Sequence, residues 1–290
     1  MKINAKVAQT YPALKELVEL YSSRKEKSVF WEDKVHGELN IVDALPNKLI
    51  WEFQVEEKHC NQLGNIHGGC VATIIDICSS FAILTYEGKG GWSLVGVSTE
   101  LAVSYMSGIA AGQTCRLECD VQRVGKSLAN IYTKVYNEDA KDYPYLYQSA
   151  IQYKERGEKN KLWQEQVANE LSLIDAEPNK IIWEFEVKDK HCNILKNIHG
   201  GCVATVIDVC SSFAILTGKG KHHWKFVGVS TGLSVQYFIG MKAGQIARIE
   251  CEAQQVGKNL GSVYARIYNK EDNRLCYSST HGKYRIDARL

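Results

Sequence analysis

Two hydrophobic periods alternate along the chain. Leu49, Trp51, Phe53 and Val55 are separated by more polar neighbours, as in a strand with one buried face, and Pro46-Asn47 supplies a turn ahead of it. Residues 68–85 then run almost without a polar face, rich in Ala, Ile and Cys and long enough for a helix. A helix with so little polar surface has to be enclosed. Alternating segments near 94–105, 115–123, 127–137 and 146–154, separated by glycine-containing or charged turns, predict four more strands. The expected order is strand, strand, helix, then four strands. That is an α+β fold in which an antiparallel sheet wraps around one central helix. Upstream, residues 12–21 form a helical extension.

The pattern is written twice. NIHGGCVATIIDICSSFAILT at 65–85 returns as NIHGGCVATVIDVCSSFAILT at 197–217, with only Ile74/Val206 and Ile77/Val209 exchanged. The same offset of 132 aligns PNKLIWEF at 46–53 with PNKIIWEF at 178–185, VGVST at 95–99 with 227–231, and Val124-Gly125-Lys126 with Val256-Gly257-Lys258. A period of this length is a whole domain rather than a solenoid unit, so each copy should own a sheet and a core. The expected domains are 1–157, which includes the N-terminal extension, and 158–290, joined through the polar run RGEKNK at 156–161.

Charge and cysteine content narrow the function. Lys and Arg total 35 against 33 for Asp and Glu, so no field favours nucleic acid or an anionic membrane surface. Ten cysteines in a chain of 290 residues without a secretory signal read as reduced thiols. Eight of them form four pairs at the repeat offset (Cys60/Cys192, Cys70/Cys202, Cys78/Cys210, Cys119/Cys251), as small buried hydrophobes would. The longest apolar stretch, 70–84, is too short to cross a bilayer and contains an aspartate, so a soluble protein without a transmembrane segment is expected. Glu16 and Glu19 interrupt what would otherwise resemble a transit peptide.

Asp76 and Asp208 are the oddities, each in mid-helix among Ile, Val, Cys and Phe. A carboxylate there loses hydration, which predicts a raised pKa and a stronger base, suited to activating water or attacking an acyl group. The bland reading is an aspartate satisfied by a neighbouring hydroxyl at a subunit contact. Gly68 and Gly200 fall where the helices begin, so unpaired N–H groups and the helix dipole would point at a docked carbonyl; equally, the Gly-Gly pair allows close packing. His59, Cys60, His67 and Cys70 fit no recurrent zinc spacing, and no metal is expected. GKGG at 88–91 lacks the context of a phosphate loop.

The string N-x-x-G-x-x-H-G-G-x-x-x-x-x-x-D, from Asn61 to Asp76, resembles the signature of hotdog-fold acyl-CoA thioesterases, of the phenylacetate-degradation and thioesterase superfamily member two types. The likeness continues through Gly96-Val97-Ser98, Tyr105-Met106-Ser107 and Gly125-Lys126-Ser127-Leu128, and so covers most of each copy. It implies paired hotdog domains with sheets joined edge to edge and two active sites between the helices, which a tandem chain can form within itself as an internal pseudo-dimer. Composite sites follow: Asn61, His67 and Gly68 facing Asp208 and Ser230, and Asn193, His199 and Gly200 facing Asp76 and Ser98. The resemblance casts Asn61 and Asn193 as carbonyl-orienting and Ser98 and Ser230 as water-positioning. His67 and His199 would help bind the carbonyl or fix the loop, and Lys126 and Lys258, with Gly125 and Gly257, would contact coenzyme A. No separate cofactor is implied, because coenzyme A is part of the substrate. An intracellular site is expected, mitochondrial by resemblance, with the cytoplasm as alternative. Further association, as a homodimer of double hotdogs or within a larger complex, stays open.

The copies differ at Lys196 against Gly64 and at Gly232 against Glu100, so equal activity of the two sites is not assumed. Two rival functions exist. A hydratase on this fold needs a histidine five residues after the aspartate, where Phe81 and Phe213 stand instead. A non-catalytic accessory subunit is the other, and retention of Asp, Ser, Asn and His-Gly in both copies counts against it.

Overall fold

The computed structural model describes residues 1–23, 30–139, 163–218, 222 and 224–286. It opens with β1 (Lys2–Ile3), α1 (Ala5–Thr10), α2 (Pro12–Ser22) and the short α3 (Asp33–His36). The first repeat continues as β2 (Leu39–Leu45), β3 (Lys48–Gln54), α4 (Gly68–Ala82), β4 (Glu100–Ser104), β5 (Thr114–Val124) and β6 (Ala129–Asn137). The second runs α5 (Glu165–Ala168), β7 (Leu171–Glu177), β8 (Lys180–Glu186), α6 (Gly200–Ala214), β9 (Val229–Tyr237), β10 (Ile246–Val256), β11 (Leu260–Asn269) and β12 (Arg274–Tyr284). From β7 onward this is the expected order in full.

Local sequence accounts for these elements. Leu49, Trp51, Phe53 and Val55 all point into the core, as their alternation predicts. The turn into β3 places Asn47 at φ 61°, and Asn179 repeats it at 64°; asparagine tolerates this left-handed region. In α2, Pro12 starts the helix and Leu14, Leu17 and Val18 form its buried stripe. β1 then ties the N-terminus to the sheet by parallel pairing with β2.

The strands form a five-stranded sheet, β1-β2-β3-β5-β6, and a seven-stranded sheet, β4-β9-β12-β11-β10-β8-β7. β4 of the first repeat lies in the second repeat's sheet, antiparallel to β9 from Glu100↔Gln236 to Ser104↔Gly232. The two repeats meet at this edge. The strand expected over 94–105 shrinks to Glu100–Ser104. In the segment before it Leu94 and Val97 are exposed, while Trp92 and Val95 are partly buried against the core. The expected strand at 146–154, the linker at 156–161 and the domain boundary at 157/158 lie outside the described residues.

The helices α4 and α6 lie antiparallel against each other. A Cβ built on Gly69 would stand 2.7 Å from the Thr205 Cα, and one on Gly201 would stand 2.6 Å from the Thr73 Cα. Only glycine permits that backbone approach. Trp31 and Trp163, a pair at the repeat offset, cover the contact edge to face with ring centroids 5.6 Å apart. Each donates its indole N–H to a helix threonine at 3.2 Å, Trp31 to Thr73 and Trp163 to Thr205. The Trp31 backbone N–H reaches the Cys192 carbonyl at 3.1 Å and that of Trp163 reaches Cys60 at 3.3 Å, so each repeat's leading segment is laid across the other.

Counted with the short turns that follow them, the helices extend over Gly68–Thr85 and Gly200–Thr217, 18 residues each and long and apolar enough to span a membrane by composition. They are longer than the 70–84 stretch suggested, but 67% and 72% of those windows are buried inside the protein. All ten cysteines are free and buried, and burial pushes the thiols at Cys70, Cys78, Cys202 and Cys210 well up.

The buried histidines make the fold acid-sensitive. Burial holds His59 and His191 down at about 4 and His281 at about 3, against 6.5 for an ordinary imidazole. The unfolded chain therefore binds more protons than the folded one below pH 6.5, and stability falls as pH drops toward 4. Each such histidine costs about 1.4 kcal/mol per pH unit. The melting temperature should fall steeply between pH 6.5 and 5; a flat profile there would contradict this protonation assignment.

Candidate active site

Both central helices start in the same way. His67 has extended backbone, φ −69° and ψ 140°, and its Nδ1 accepts the Gly69 N–H at 3.0 Å; His199 does the same for Gly201 at 2.9 Å. Each imidazole is thus a helix cap, the loop-fixing role of the two expected. The cap leaves the preceding N–H groups, of Gly68 and Gly200, without an acceptor among the described residues. They lie in the first turn, where the helix dipole favours negative charge. The Gly68 and Gly200 carbonyls accept from Tyr105 Oη at 3.0 Å and Tyr237 Oη at 3.1 Å.

The carboxylate over each helix start comes from the other repeat. Asp208 Oδ2 is 2.9 Å from the position of a Cβ on Gly68 and 3.5 Å from His67 Nδ1. Asp76 Oδ2 is 2.8 Å from the corresponding position on Gly200 and 3.6 Å from His199 Nδ1. Any side chain in place of either glycine would strike the carboxylate. Ser230 donates to Asp208 Oδ1 at 2.8 Å, and Ser98 hydrogen-bonds Asp76 Oδ1. The geometry therefore brings together His67, Gly68, Asp208 and Ser230 in one cluster, and His199, Gly200, Asp76 and Ser98 in the other.

A β-bulge aims Ser230. Pairing of β12 with β9 passes from Gly282↔Gly232 directly to Lys283↔Ser230, skipping Thr231. Without the extra residue, strand alternation would turn Ser230 to the outer face. The bulge sets it opposite Lys283, which with His281 occupies the inward side of β12. The sequence reading missed both residues. His281 Nε2 lies 3.2 Å from Asp208 Oδ1 and 2.9 Å from Ser230 Oγ, while Nδ1 is 2.6 Å from Ser211 Oγ. Lys283 Nζ donates to Ser212 Oγ at 2.8 Å and to Ser230 Oγ at 3.2 Å. Their signal in sequence was the alternation of Ser279, His281 and Lys283 along a strand that otherwise reads as buried.

The Asp208 environment reverses the expected pKa. Burial alone would raise it, but His67, His281, Lys283 and the Ser230 hydrogen bond outweigh burial and hold the carboxyl at about 2. Burial lowers His67 and His281, which leaves Lys283 as the standing cation near pH 7. Asp208 is thus a charged carboxylate near pH 7, fitted to orient and polarise a water or to attack an electrophile.

The remaining expected residues divide. Asn61 Oδ1 accepts from the Leu63 N–H at 2.9 Å, and Asn193 Oδ1 from the Leu195 N–H at 2.9 Å, so both oxygens serve their own loops. The carbonyl-orienting role expected of them is left to the amide nitrogens alone. Lys196, in place of Gly64, sits at φ 61°, a strain of about 1–2 kcal/mol for a side-chain-bearing residue, with Nζ 5.2 Å from the Phe30 ring centroid. Lys126 and Lys258 are exposed in the β5–β6 and β10–β11 turns. Gly125 and Gly257 close those turns by donating to Leu128 and Leu260, and their carbonyls accept from Trp92 and Trp224. None of these turn residues contacts the aspartate clusters among the described residues. Nor do the described residues hold a group of His, Cys, Asp and Glu able to bind a metal ion.

A free N–H at a helix start, a buried carboxylate across from it and a hydroxyl fixing that carboxylate can together polarise a carbonyl and deliver an oxygen nucleophile to it. The thioesterase superfamily model matches residues 63–143 and 195–276, more than half of the chain and one match per repeat. Human acyl-coenzyme A thioesterase 13 is 38% identical over 97 residues, covering 33% of this chain and 66% of the relative. A putative esterase of Caenorhabditis elegans is 31% identical over 117 residues, covering 40% of this chain and 65% of the relative. The chain thus spans just under two thirds of the length of the curated relatives it matches. The mouse thioesterase superfamily member 2 crystal structure is 28% identical, covering 41% of this chain and 85% of that one, with a TM-score of 0.38.

Proposed function

Because the chain belongs to the thioesterase superfamily in both of its repeats, we propose that it hydrolyses acyl-CoA thioesters to the free acid and coenzyme A at two composite sites. The observation that carries this reading is the Asp208 carboxylate seated over the free Gly68 N–H, reproduced by Asp76 over Gly200. The thioester carbonyl docks on the glycine N–H at the positive end of the helix, where the developing oxyanion is stabilised. The carboxylate orients a water through one oxygen while the serine hydroxyl holds the other. The water oxygen bonds to the carbonyl carbon, the carboxylate takes its proton, the C–S bond breaks, and that proton ends on the coenzyme A thiolate. Exposed Lys126 and Lys258 are assigned to coenzyme A, and Gly125 and Gly257 to the turns presenting them.

Incubation with acyl-CoAs of graded chain length, following free thiol, tests the reading. Thiol release on at least one chain length, saturating with substrate, is the expected result. None on any chain length would favour the accessory-subunit alternative.

A further inference from the structure

Two loops border the Gly200 helix start, and both bury their anchors while leaving their tips apolar. One runs from Asn193 to His199; the other follows Tyr237, whose hydroxyl donates to the Gly200 carbonyl at 3.1 Å. The loops are joined: Asn197 pairs with Lys242 in an isolated β-bridge, and the Ile198 N–H donates to the Met241 carbonyl at 2.8 Å. Ile198 and Met241 are buried. On the same two loops Ile194, Leu195, Phe238 and Ile239 are instead 42%, 58%, 54% and 36% exposed. A single exposed leucine needs no explanation, but four large apolar side chains on two joined loops form a patch of the kind that marks a binding surface.

We propose that Ile194, Leu195, Phe238 and Ile239 are the acyl-chain rim of the Gly200 site, whose substrate is an acyl-CoA with an alkyl chain long enough to reach them. This rests on the thioesterase reading above and names the substrate class of that site. Ile194 directly follows Asn193 and Phe238 directly follows Tyr237, so both tips stand where a chain leaving a carbonyl docked on the Gly200 N–H comes out. None of the four side chains can donate or accept a hydrogen bond, which suits an alkyl chain rather than the amides and phosphates of coenzyme A. The tips are also held in advance. The Phe238 and Ile239 N–H groups both donate to the Cys276 carbonyl, at 3.0 and 3.2 Å, and the Leu195 N–H donates to Asn193 Oδ1 at 2.9 Å. A surface already in place costs little ordering when a chain settles on it.

The rim should act on KM rather than kcat. It lies beyond the reacting atoms, so it binds ground state and transition state alike. Each methylene it takes from water contributes about fourfold in affinity if fully covered, and about twofold on a rim that stays half open. Affinity should therefore climb with chain length at this site. Lys196 and Lys242 stand on the same loops, which makes an anionic lipid surface the rival occupant to be separated from an acyl chain.

The test is Leu195→Ser with Phe238→Ser, made in the Asp208→Asn background so that only the Gly200 site turns over, with thiol release followed on acetyl-CoA and decanoyl-CoA. KM for decanoyl-CoA should rise about tenfold with kcat little changed, while acetyl-CoA should shift by less than about twofold. Phe238→Leu should keep most of the decanoyl-CoA affinity. In the Asp76→Asn background, where the Gly68 site works, the same serine pair should leave both KM values as they were. Melting curves establish that each variant is folded. An equal rise in KM on both substrates would assign the tips to coenzyme A and overturn the rim. So would an unchanged decanoyl-CoA KM; loss of sedimentation with phosphatidylserine vesicles, or a smaller species in gel filtration, would then give the tips to a lipid surface or to a second copy. An Asp208→Asn protein inactive on every chain length would leave the rim no site to serve and overturn it, with the thioesterase reading intact. Absence of any thiol release by the unsubstituted protein would overturn both.

Discussion

Replacement of both Asp76 and Asp208 by asparagine should lower acyl-CoA hydrolysis by about 100- to 10,000-fold, the range typical for loss of a positioned acid or base. Asparagine keeps the volume and one acceptor oxygen, so the serine hydrogen bonds can persist while the charge and basicity go. Both residues must be changed, because the clusters are separate: Asp76 lies over Gly200 and Asp208 over Gly68. Mild acidification that leaves the protein folded should not imitate the Asp208 substitution, since that carboxyl loses its charge only near pH 2. Melting curves give an internal control. Asp208→Asn leaves the Lys283 ammonium buried without its anion and should melt lower than Asp76→Asn. Thiol release by the double variant at a rate close to that of the unsubstituted protein would remove both aspartates from the chemistry.

Much of this site was legible in the sequence because its parts lie in short, strongly patterned stretches. The helix start at His67-Gly68, the lone carboxylate eight residues into an apolar helix, and the repetition of both at a fixed offset follow from local composition. Pairing of the two copies came from resemblance, and the β4–β9 ladder and the α4–α6 contact agree with it. What stayed hidden depends on long-range placement. Lys283 is 71 residues from Ser212, its hydrogen-bond partner, and lies outside the stretches that recur at the fixed offset, so the repeated motif could not point to it. The direction of the Asp208 shift was misread for the same reason: burial was visible, the compensating cation was not. Ser230 faces inward only because a bulge skips Thr231, a feature that strand alternation alone cannot reveal. Trp31 and Trp163 did carry a signal, an FWEDKV/LWQEQV correspondence at the repeat offset, too short and too divergent to stand out.

The central claim is that neither repeat is complete, because each provides the helix start for one site and the carboxylate for the other. Gly200→Ala isolates it. The new methyl would stand 2.8 Å from Asp76 Oδ2, closer than a non-bonded carbon and oxygen normally approach, so the carboxylate must shift from its position over the helix start. That substitution should therefore disable the Asp76 site although the two residues belong to different repeats. The decisive measurement is kcat of two double variants. Gly200→Ala with Asp76→Asn, drawn from different repeats, should turn over no more slowly than Asp76→Asn alone, since both changes fall on one site. Gly200→Ala with Asp208→Asn, both in the second repeat, should drop to the level of the double aspartate variant, about 100-fold or more lower. The opposite ranking, with the same-repeat pair retaining activity and the cross-repeat pair losing it, would contradict composite sites and place a complete site within each repeat.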